Sequence, residues 1–180
     1  MQLTTNMSGV SLVAWAPEHR EELALQANDR AVWRNLLPHF PHPYTLADAD
    51  RWIDFTGHCA PDCHLCILVE GQVAGSVGVS LGAGTAARTG EFGYWLGQSF
   101  WGRGIATAAA AAMVGHIRAT IPVVRLAAPV CAWNPASMRV LEKVGFEREG
   151  VLRQSVFKDG EQIDAVLFSL ILEEQLNPRP

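Results

Sequence analysis

A strand, a glycine-containing turn and a helix follow one another directly in the middle of this 180-residue chain. In the turn, Gly102 and Gly104 can adopt positive φ and let a bulky ligand approach the backbone. The alanine-rich stretch from Ala106 to Met113 favours a helix, and the first amides of a helix have no intrahelical partner. Because free amides at the positive end of a helix dipole suit phosphate, we predict that this turn binds a pyrophosphate group.

Two other nucleotide-binding turns do not fit the spacing of this segment. A P-loop requires lysine and then serine or threonine after its last glycine, whereas this turn continues Gly104-Ile105-Ala106. A dinucleotide-binding turn needs a third small residue where this chain has Thr107, and it belongs near the start of its domain. A plain sharp turn between a strand and a helix remains the alternative to a phosphate-binding turn.

A second helix with clear end signals follows at positions 134 to 146. Asn134 can cap this helix at its start, and Gly145 can end it. Apolar residues at positions 140, 141 and 144 have the spacing of one helix face. An ordinary amphipathic helix would explain these features, but it would not explain their order after the glycine turn, one helix and one strand.

Together the two segments resemble the GNAT superfamily of N-acetyltransferases, and the first is similar to its acetyl-CoA signature. Trp101 stands where that signature has glutamine or arginine. The resemblance covers nearly the whole chain and is closest to the acetyltransferases of ribosomal-protein N-termini. It implies one domain over residues 1–180 with an α+β fold, in which helices flank both faces of a mixed, mostly antiparallel sheet. It also implies acetyl-CoA as the co-substrate and no metal.

The resemblance further implies which residues hold the cofactor. The backbone of the strand before the turn is expected to pair with the pantetheine arm and to polarise the thioester carbonyl. Asn134 is expected to bond the pantetheine amides, with a plain helix cap as its alternative role. The expected cofactor residues are Trp95, Leu96, Gly97, Trp101, Gly102, Arg103, Gly104, Ile105, Ala106, Thr107, Asn134 and Ser137.

Two side chains are candidates for the acid and base chemistry of acetyl transfer. Glu91, on the strand that leads into the turn, could accept the proton of the substrate ammonium, and its alternative is a solvated or ion-paired surface residue. Ser137 resembles the family serine that protonates the departing thiolate, and its alternative is a polar residue in the first helical turn. Val156 stands where relatives can have a glutamate base, which leaves Asp164 or a water chain as further alternatives.

The acceptor is expected to be a primary amine, and the resemblance favours the α-amine of a protein N-terminus. Trp33, His39 and Tyr94, with Phe40 and His42, are candidates for the acceptor pocket, although packing is an alternative role for each. A small amine such as an aminoglycoside, a polyamine or an amino-acid derivative is the alternative acceptor. A catalytically silent acyl-CoA-binding module is the alternative from another class of protein. The oligomeric state stays open, a homodimer included.

Apolar periodicity and turn residues predict the elements that position these residues. Strands are expected at Ser11–Ala16, Cys63–Glu70, Gln72–Leu81, Thr89–Leu96, Val123–Ala132, Phe146–Arg153 and Ile163–Ile171. Helices are expected at Pro17–Ala27, Asp29–Leu36, from the cap Thr45 to Phe55, at Gly104–Ala119 and at Pro135–Val144.

Composition limits the partners that this chain can have. The formal net charge is -4, the sequence pI is about 5.8 and no stripe of lysine and arginine occurs, so no direct nucleic-acid partner is expected. The first residues lack the pattern of a secretory signal and no apolar run reaches membrane-spanning length, so a cytoplasmic protein with no membrane partner is expected. Three cysteines cluster with histidines between His58 and Cys66, but their spacing is poor for zinc, and Cys66 is expected inside a strand.

Overall fold

The structure is a computed structural model that describes residues 2–36, 40–59 and 62–172. Its strands are β1 (Gln2–Thr4), β2 (Val10–Ala14), β3 (His64–Val69), β4 (Gln72–Leu81), β5 (Thr89–Leu96), β6 (Arg125–Cys131), β7 (Glu147–Lys158) and β8 (Glu161–Ile171). They form one eight-stranded sheet in the order β1-β2-β3-β4-β5-β6-β8-β7.

The α-helices of the described residues lie between these strands. They are α1 (Arg20–Ala27), α2 (Arg30–Trp33), α3 (Leu46–His58), α4 (Ile105–Thr120) and α5 (Pro135–Val144). None of them is long and apolar enough to cross a membrane.

Polar caps set the ends of two helices that lie beside the site. The Thr45 hydroxyl accepts from the Asp48 amide at the start of α3, and the Asp48 carboxylate accepts from the Thr45 amide in return. At the start of α5, Asn134 Oδ1 accepts from the Ser137 amide at 3.1 Å. Gly145 ends α5 with a φ of 96°, a left-handed conformation that glycine adopts without a side-chain clash.

The sheet opens along one line in its middle. Neighbouring strands are antiparallel except β5 and β6, which run parallel and pair only through residues 89–91 and 125–127. Beyond Glu91 these two strands separate, while β5 stays paired with β4 as far as Leu96 and β6 stays paired with β8 as far as Cys131. The result is a V-shaped opening, called the V below, along which β5 and β6 no longer pair with each other.

Apolar side chains cover both faces of this sheet. On one face α4 and α5 pack against the sheet, and Met113, Leu126 and Phe168 are at most 1% exposed. On the other face α1 and α3 pack against β3 and β4, and Cys66 is 0% exposed there, which confirms its expected place inside a strand. A mixed sheet with helices on both faces confirms the expected α+β fold.

The predicted helices and strands are present, with differences at their ends. β1 has no counterpart among the predicted strands, because a strand of three residues shows no alternation. β7 runs on past Arg153 to Lys158, through a register shift in which Gln154 has a φ of 48°. That irregular stretch has no simple alternation, so the sequence pattern ends too early. The predicted helix at Asp29–Leu36 is shorter, because Asp29 itself caps α2, which ends at Trp33.

Candidate active site

A cleft of about 830 Å³ opens where β5 and β6 separate. It is lined by β5, by the first turns of α4 and α5, and by residues of α3 on the opposite face of the sheet. The predicted site residues that line it are Glu91, Tyr94, Trp95, Leu96, Trp101, Gly102, Gly104, Ile105, Ala106, Thr107, Asn134 and Ser137. The structure therefore brings both sequence segments to one cleft.

The glycine turn presents its backbone amides to this cleft. Gly102 has a φ of 73° and Gly104 a φ of 80°, and a methyl group on either would meet no atom within 4 Å. Among the described residues, no acceptor is found for the backbone amides of residues 102 to 107. Consecutive free amides at the N-terminus of the 16-residue α4 form a site for an anion such as a phosphate.

The backbone of β5 offers hydrogen-bonding groups to the cleft at alternate residues. The Gly97 amide donates to the Ala74 carbonyl at 2.8 Å, so the backbone of Gly97 is turned towards β4. Because this direction alternates along a strand, Trp95 is also turned towards β4, and Tyr94 and Leu96 are turned towards the cleft. This corrects the expectation that the backbones of Trp95 and Gly97 pair with pantetheine.

Two long side chains of the turn have structural partners. The Trp101 indole Nε1 donates to the Leu96 carbonyl at 2.8 Å, which fastens the turn to the end of β5. The Leu96 carbonyl is therefore engaged, and the Leu96 amide is left for a ligand. The Arg103 guanidinium lies 5.8 Å from the centroid of the Phe100 ring, and neither Arg103 nor Gly97 lines the cleft.

Tyr94 and Ser137 form a pair of hydroxyls where β5 meets α5. The Tyr94 hydroxyl donates to the Ser137 carbonyl at 2.9 Å and lies 2.8 Å from the Ser137 Oγ. Burial raises the pKa of Tyr94 to about 12, although the hydrogen bond with Ser137 opposes this shift. Tyr94 therefore stays protonated near neutral pH and holds the serine hydroxyl in place. Tyr94 was expected in the acceptor pocket, whereas in the structure its hydroxyl bonds to Ser137.

The Trp33 ring is surrounded by packing partners and does not line the cleft. Its Nε1 donates to the Phe40 carbonyl at 3.0 Å, and its ring stacks on His42 with centroids 5.2 Å apart. The Lys158 ammonium lies 4.2 Å from the Trp33 ring centroid. These contacts agree with the packing alternative for Trp33. The predicted acceptor residue His39 lies outside the described residues.

The part of the cleft under α3 has an aromatic wall. Phe40 stacks on Tyr44 with ring centroids 5.0 Å apart and meets Trp95 edge-on at 5.9 Å. Trp52 and Phe55 of α3 extend this wall, and Phe55 is 50% exposed. An acceptor amine that enters here would bring an apolar or aromatic neighbouring group into contact with these rings.

The three candidates for a base have different surroundings. Glu91 lies where β5 and β6 separate, and its side chain is exposed on the α3 face of the sheet. Val156 is 8% exposed and packs with Cys131 and Ala165, so no carboxylate occupies its position. The Asp164 carboxylate accepts from the Gln154 amide at 2.7 Å in the irregular part of β7 and does not line the cleft.

His64 lines the cleft and is not identified by the sequence analysis. In the sequence it stands in the cluster of cysteines and histidines whose metal interpretation the spacing disfavours. Within residues 2–36, 40–59 and 62–172 there is no group of three or more side chains that could hold a metal ion. The sequence does contain a sign of open space beside His64, because glycines occur at positions 78 and 93 in the next two predicted strands. Only the strand register shows that these two glycines lie in line with His64.

Comparison with known families and proteins gives a consistent result. Residues 10–147 match the family model described as an acetyltransferase (GNAT) domain. The protein YdaF of Bacillus subtilis (strain 168) is 30% identical over 108 residues, which are 60% of this chain and 58% of that protein. The ribosomal-protein-serine acetyltransferase of Escherichia coli (strain K12) is 33% identical over 88 residues, which are 49% of each chain. The chain thus spans about half the length of these curated relatives.

A solved structure extends the likeness over the whole fold. The ribosomal L7/L12 alpha-N-protein acetyltransferase RimL in complex with coenzyme A has a TM-score of 0.84 and covers 96% of this chain and 98% of its own. Its sequence identity is 18%, so the likeness concerns the fold.

Proposed function

This chain belongs to the GNAT acetyltransferase family, and we propose that it transfers the acetyl group of acetyl-CoA to a primary amine. The observation that carries the proposal is the run of free amides at residues 102–107 beside the V between β5 and β6. These amides and the α4 dipole would bind the CoA pyrophosphate. The V would receive the extended pantetheine arm, which can bond to the amides of Tyr94 and Leu96 on the open edge of β5. Asn134 caps α5 and lines the same cleft.

The cleft also contains groups for the chemistry of acetyl transfer. This reaction needs a polarised thioester carbonyl, a neutral amine and a proton for the departing thiolate. An outward amide of β5 would polarise the carbonyl, since a fixed donor aimed at developing negative charge needs no reorganisation. Ser137, held by Tyr94, would give its hydroxyl proton to the thiolate. Glu91, at the exposed end of the V, would draw protons towards solvent.

We further propose that the acceptor is the α-amine of a protein N-terminus. The relative from Escherichia coli that acts on a ribosomal-protein serine supports this assignment. The charge of the cleft supports it as well, because a polycationic amine would need concentrated negative charge. Among the described residues two carboxylates line the cleft, and Asp48 is already engaged by Thr45 and Arg51, which leaves the single charge of Glu91, too little to select such an amine.

Thiol release from acetyl-CoA tests this function. We would compare peptides that begin with serine or alanine, the same peptides with a blocked N-terminus and an internal lysine, and the small amines spermidine and kanamycin. We expect thiol release only with free N-termini, and mass spectrometry should place the acetyl group on the α-amine. Release with the small amines but not with peptides would overturn the protein acceptor. Binding of CoA with no release from any acceptor would overturn the enzymatic function.

A further inference from the structure

The His64 side chain lies on the α3 face of the sheet, beside two glycines in the next two strands. It pairs with Gly78 of β4, which in turn pairs with Gly93 of β5. A Cβ placed on Gly78 would lie 2.3 Å from His64 Nδ1, so the imidazole ring lies across that glycine. A Cβ placed on Gly93 would meet nothing within 4 Å, so the space beyond the ring is open. The ring therefore reaches from the third strand towards the strand that borders the V.

Aromatic contacts fix the orientation of this ring. Trp52 meets it edge-on with centroids 5.4 Å apart, and Phe55 lies at 5.8 Å with an angle of 50°. No hydrogen-bond partner for either ring nitrogen is found in the part of the chain that the structure describes. Two strand spacings, about 10 Å, separate the backbones of His64 and Gly93. The imidazole ring extends over the first spacing, from His64 to Gly78. An amine above Gly93 would then lie within reach of the imidazole, directly or through one water.

We propose that the His64 imidazole is the first acceptor of the proton that the substrate ammonium loses. This inference rests on the proposed acetyl transfer to an amine and names the residue that prepares that amine. Glu91 would receive the proton only after His64, because the register puts the Glu91 Cα about 12 Å from the His64 Cα, at the exposed end of the V.

The charge state of His64 suits this role. Burial lowers its pKa from the ordinary value, so the ring is neutral at pH 7 and can accept a proton. The ionisable residues on the elements around it are Cys66 on β3, Glu91 and Tyr94 on β5, and Asp48, Asp50, Arg51, Asp54 and His58 on α3, whereas β4 has none. Tyr94 lies on the opposite face of the sheet, where it bonds to Ser137. The α3 carboxylates have partners of their own in Arg51, Arg20 and His58. Glu91 is therefore the carboxylate of the sheet that faces an imidazolium at this position.

The protons of the reaction then balance. The ammonium nitrogen loses two protons as it becomes an amide nitrogen. His64 takes the first before the C–N bond forms and passes it to water. The second leaves once the C–N bond has formed, and as the C–S bond breaks Ser137 protonates the sulfur and is reprotonated in turn. The products are the acetylated amine, the CoA thiol and one proton released to solvent.

The test uses the full chain, acetyl-CoA and a peptide that begins with serine. His64→Phe keeps an aromatic ring against Trp52 but removes the nitrogens, and His58→Gln is the matched control because the His58 side chain is 78% exposed. At pH 7 we expect His64→Phe to lower kcat/KM about 100-fold. The thermal shift caused by CoA should stay unchanged in both variants, because neither residue touches the glycine turn.

Two further readouts separate proton transfer from packing. Between about pH 6.5 and 8 the wild-type kcat/KM should be nearly flat, whereas that of His64→Phe should rise roughly tenfold in all, because the free fraction of an α-amine with a pKa of about 7.7–8.0 rises by that factor over this range. Added imidazole should restore rate to His64→Ala. Parallel pH profiles, or a His64→Phe variant as active as His58→Gln, would overturn this inference alone. A wild-type protein that releases no thiol with any acceptor would overturn the proposed function and this inference with it.

Discussion

Gly104 and Gly115 offer a controlled test of the glycine turn, because alanine adds the same methyl group at the start of α4 in one variant and inside α4 in the other. Gly104 caps α4 with a φ of 80°, whereas Gly115 lies on the exposed side of the same helix. Neither methyl group would clash, since each added Cβ meets nothing within 4 Å. Any difference between the two variants therefore arises from backbone conformation and from what binds in the open space at Gly104.

The conformational effects have opposite signs. The left-handed conformation is disfavoured for alanine by about 1–2 kcal/mol, so Gly104→Ala should lower Tm by about 2–8 °C for a domain of this size. Alanine is favoured over glycine inside a helix by about 0.5–1 kcal/mol, so Gly115→Ala should raise Tm by about 1–4 °C. These shifts are measured without ligand by thermal unfolding followed by circular dichroism.

The response to CoA tests the assignment of the turn. CoA at 100 times its Kd should stabilise the folded state by about 2.7 kcal/mol, or about 5–10 °C. A methyl group on Gly104 would extend into the space assigned to the phosphates, and a tenfold loss of affinity would halve that shift. Gly115→Ala should keep the full shift. A folded Gly104→Ala protein with the wild-type response to CoA would refute the assignment of residues 102–107 to the pyrophosphate.

Other variants address separate parts of the site and of the sheet. Ser137→Ala should lower kcat by about 100-fold or more while the CoA thermal shift is retained, and a change in stability without a change in kcat would leave Ser137 as a helix-end residue. Glu91→Gln should lower kcat/KM less than His64→Phe does and most at low pH, and a pH profile parallel to the wild type would remove it from proton transfer. The hydrogen bonds from Arg125 and Ser169 lower the pKa of Glu149 to about 2 from 4.5. The stabilising effect of this carboxylate is complete above pH 4.5 and is lost as pH falls towards 2. In urea unfolding, the free energy of unfolding of Glu149→Gln should therefore be lower than that of the wild type above pH 4.5, and the difference should shrink as pH falls towards 2.

The sequence predicts this fold well where the signals are local. Asn134, Pro135 and Gly145 determine both ends of α5, and the predicted bounds of that helix are those observed. The bounds of β4 and β5 are also as predicted, because the apolar runs there are closed by turn residues. The glycine turn is also a local signal, since its free amides follow from a helix start that one short, continuous segment specifies.

The backbone register of β5 could not be predicted in this way. Side chains alternate between the two faces of a sheet, and that alternation is visible in the sequence. The alternation of backbone groups between the two neighbouring strands is fixed only by pairing, here by the bond from the Gly97 amide to the Ala74 carbonyl. The correctly predicted strand therefore did not reveal that the backbones of Trp95 and Gly97 are turned towards β4 and only that of Leu96, among the three expected residues, towards the cleft.

The residues proposed for CoA binding could be predicted from the sequence, whereas those proposed for the acceptor amine could not. Residues 102–107 are consecutive, so their free backbone amides can be predicted from one short segment of the sequence. His64, Gly78 and Gly93 come from three strands and meet only through two pairing registers, one of which contains an irregularity between Ile67 and Leu68. A shift of one residue in either register would turn His64 away from Gly93, because neighbouring residues of a strand face opposite sides of the sheet. The acceptor side of this cleft is therefore a property of the folded sheet, and the His64 variants test that property directly.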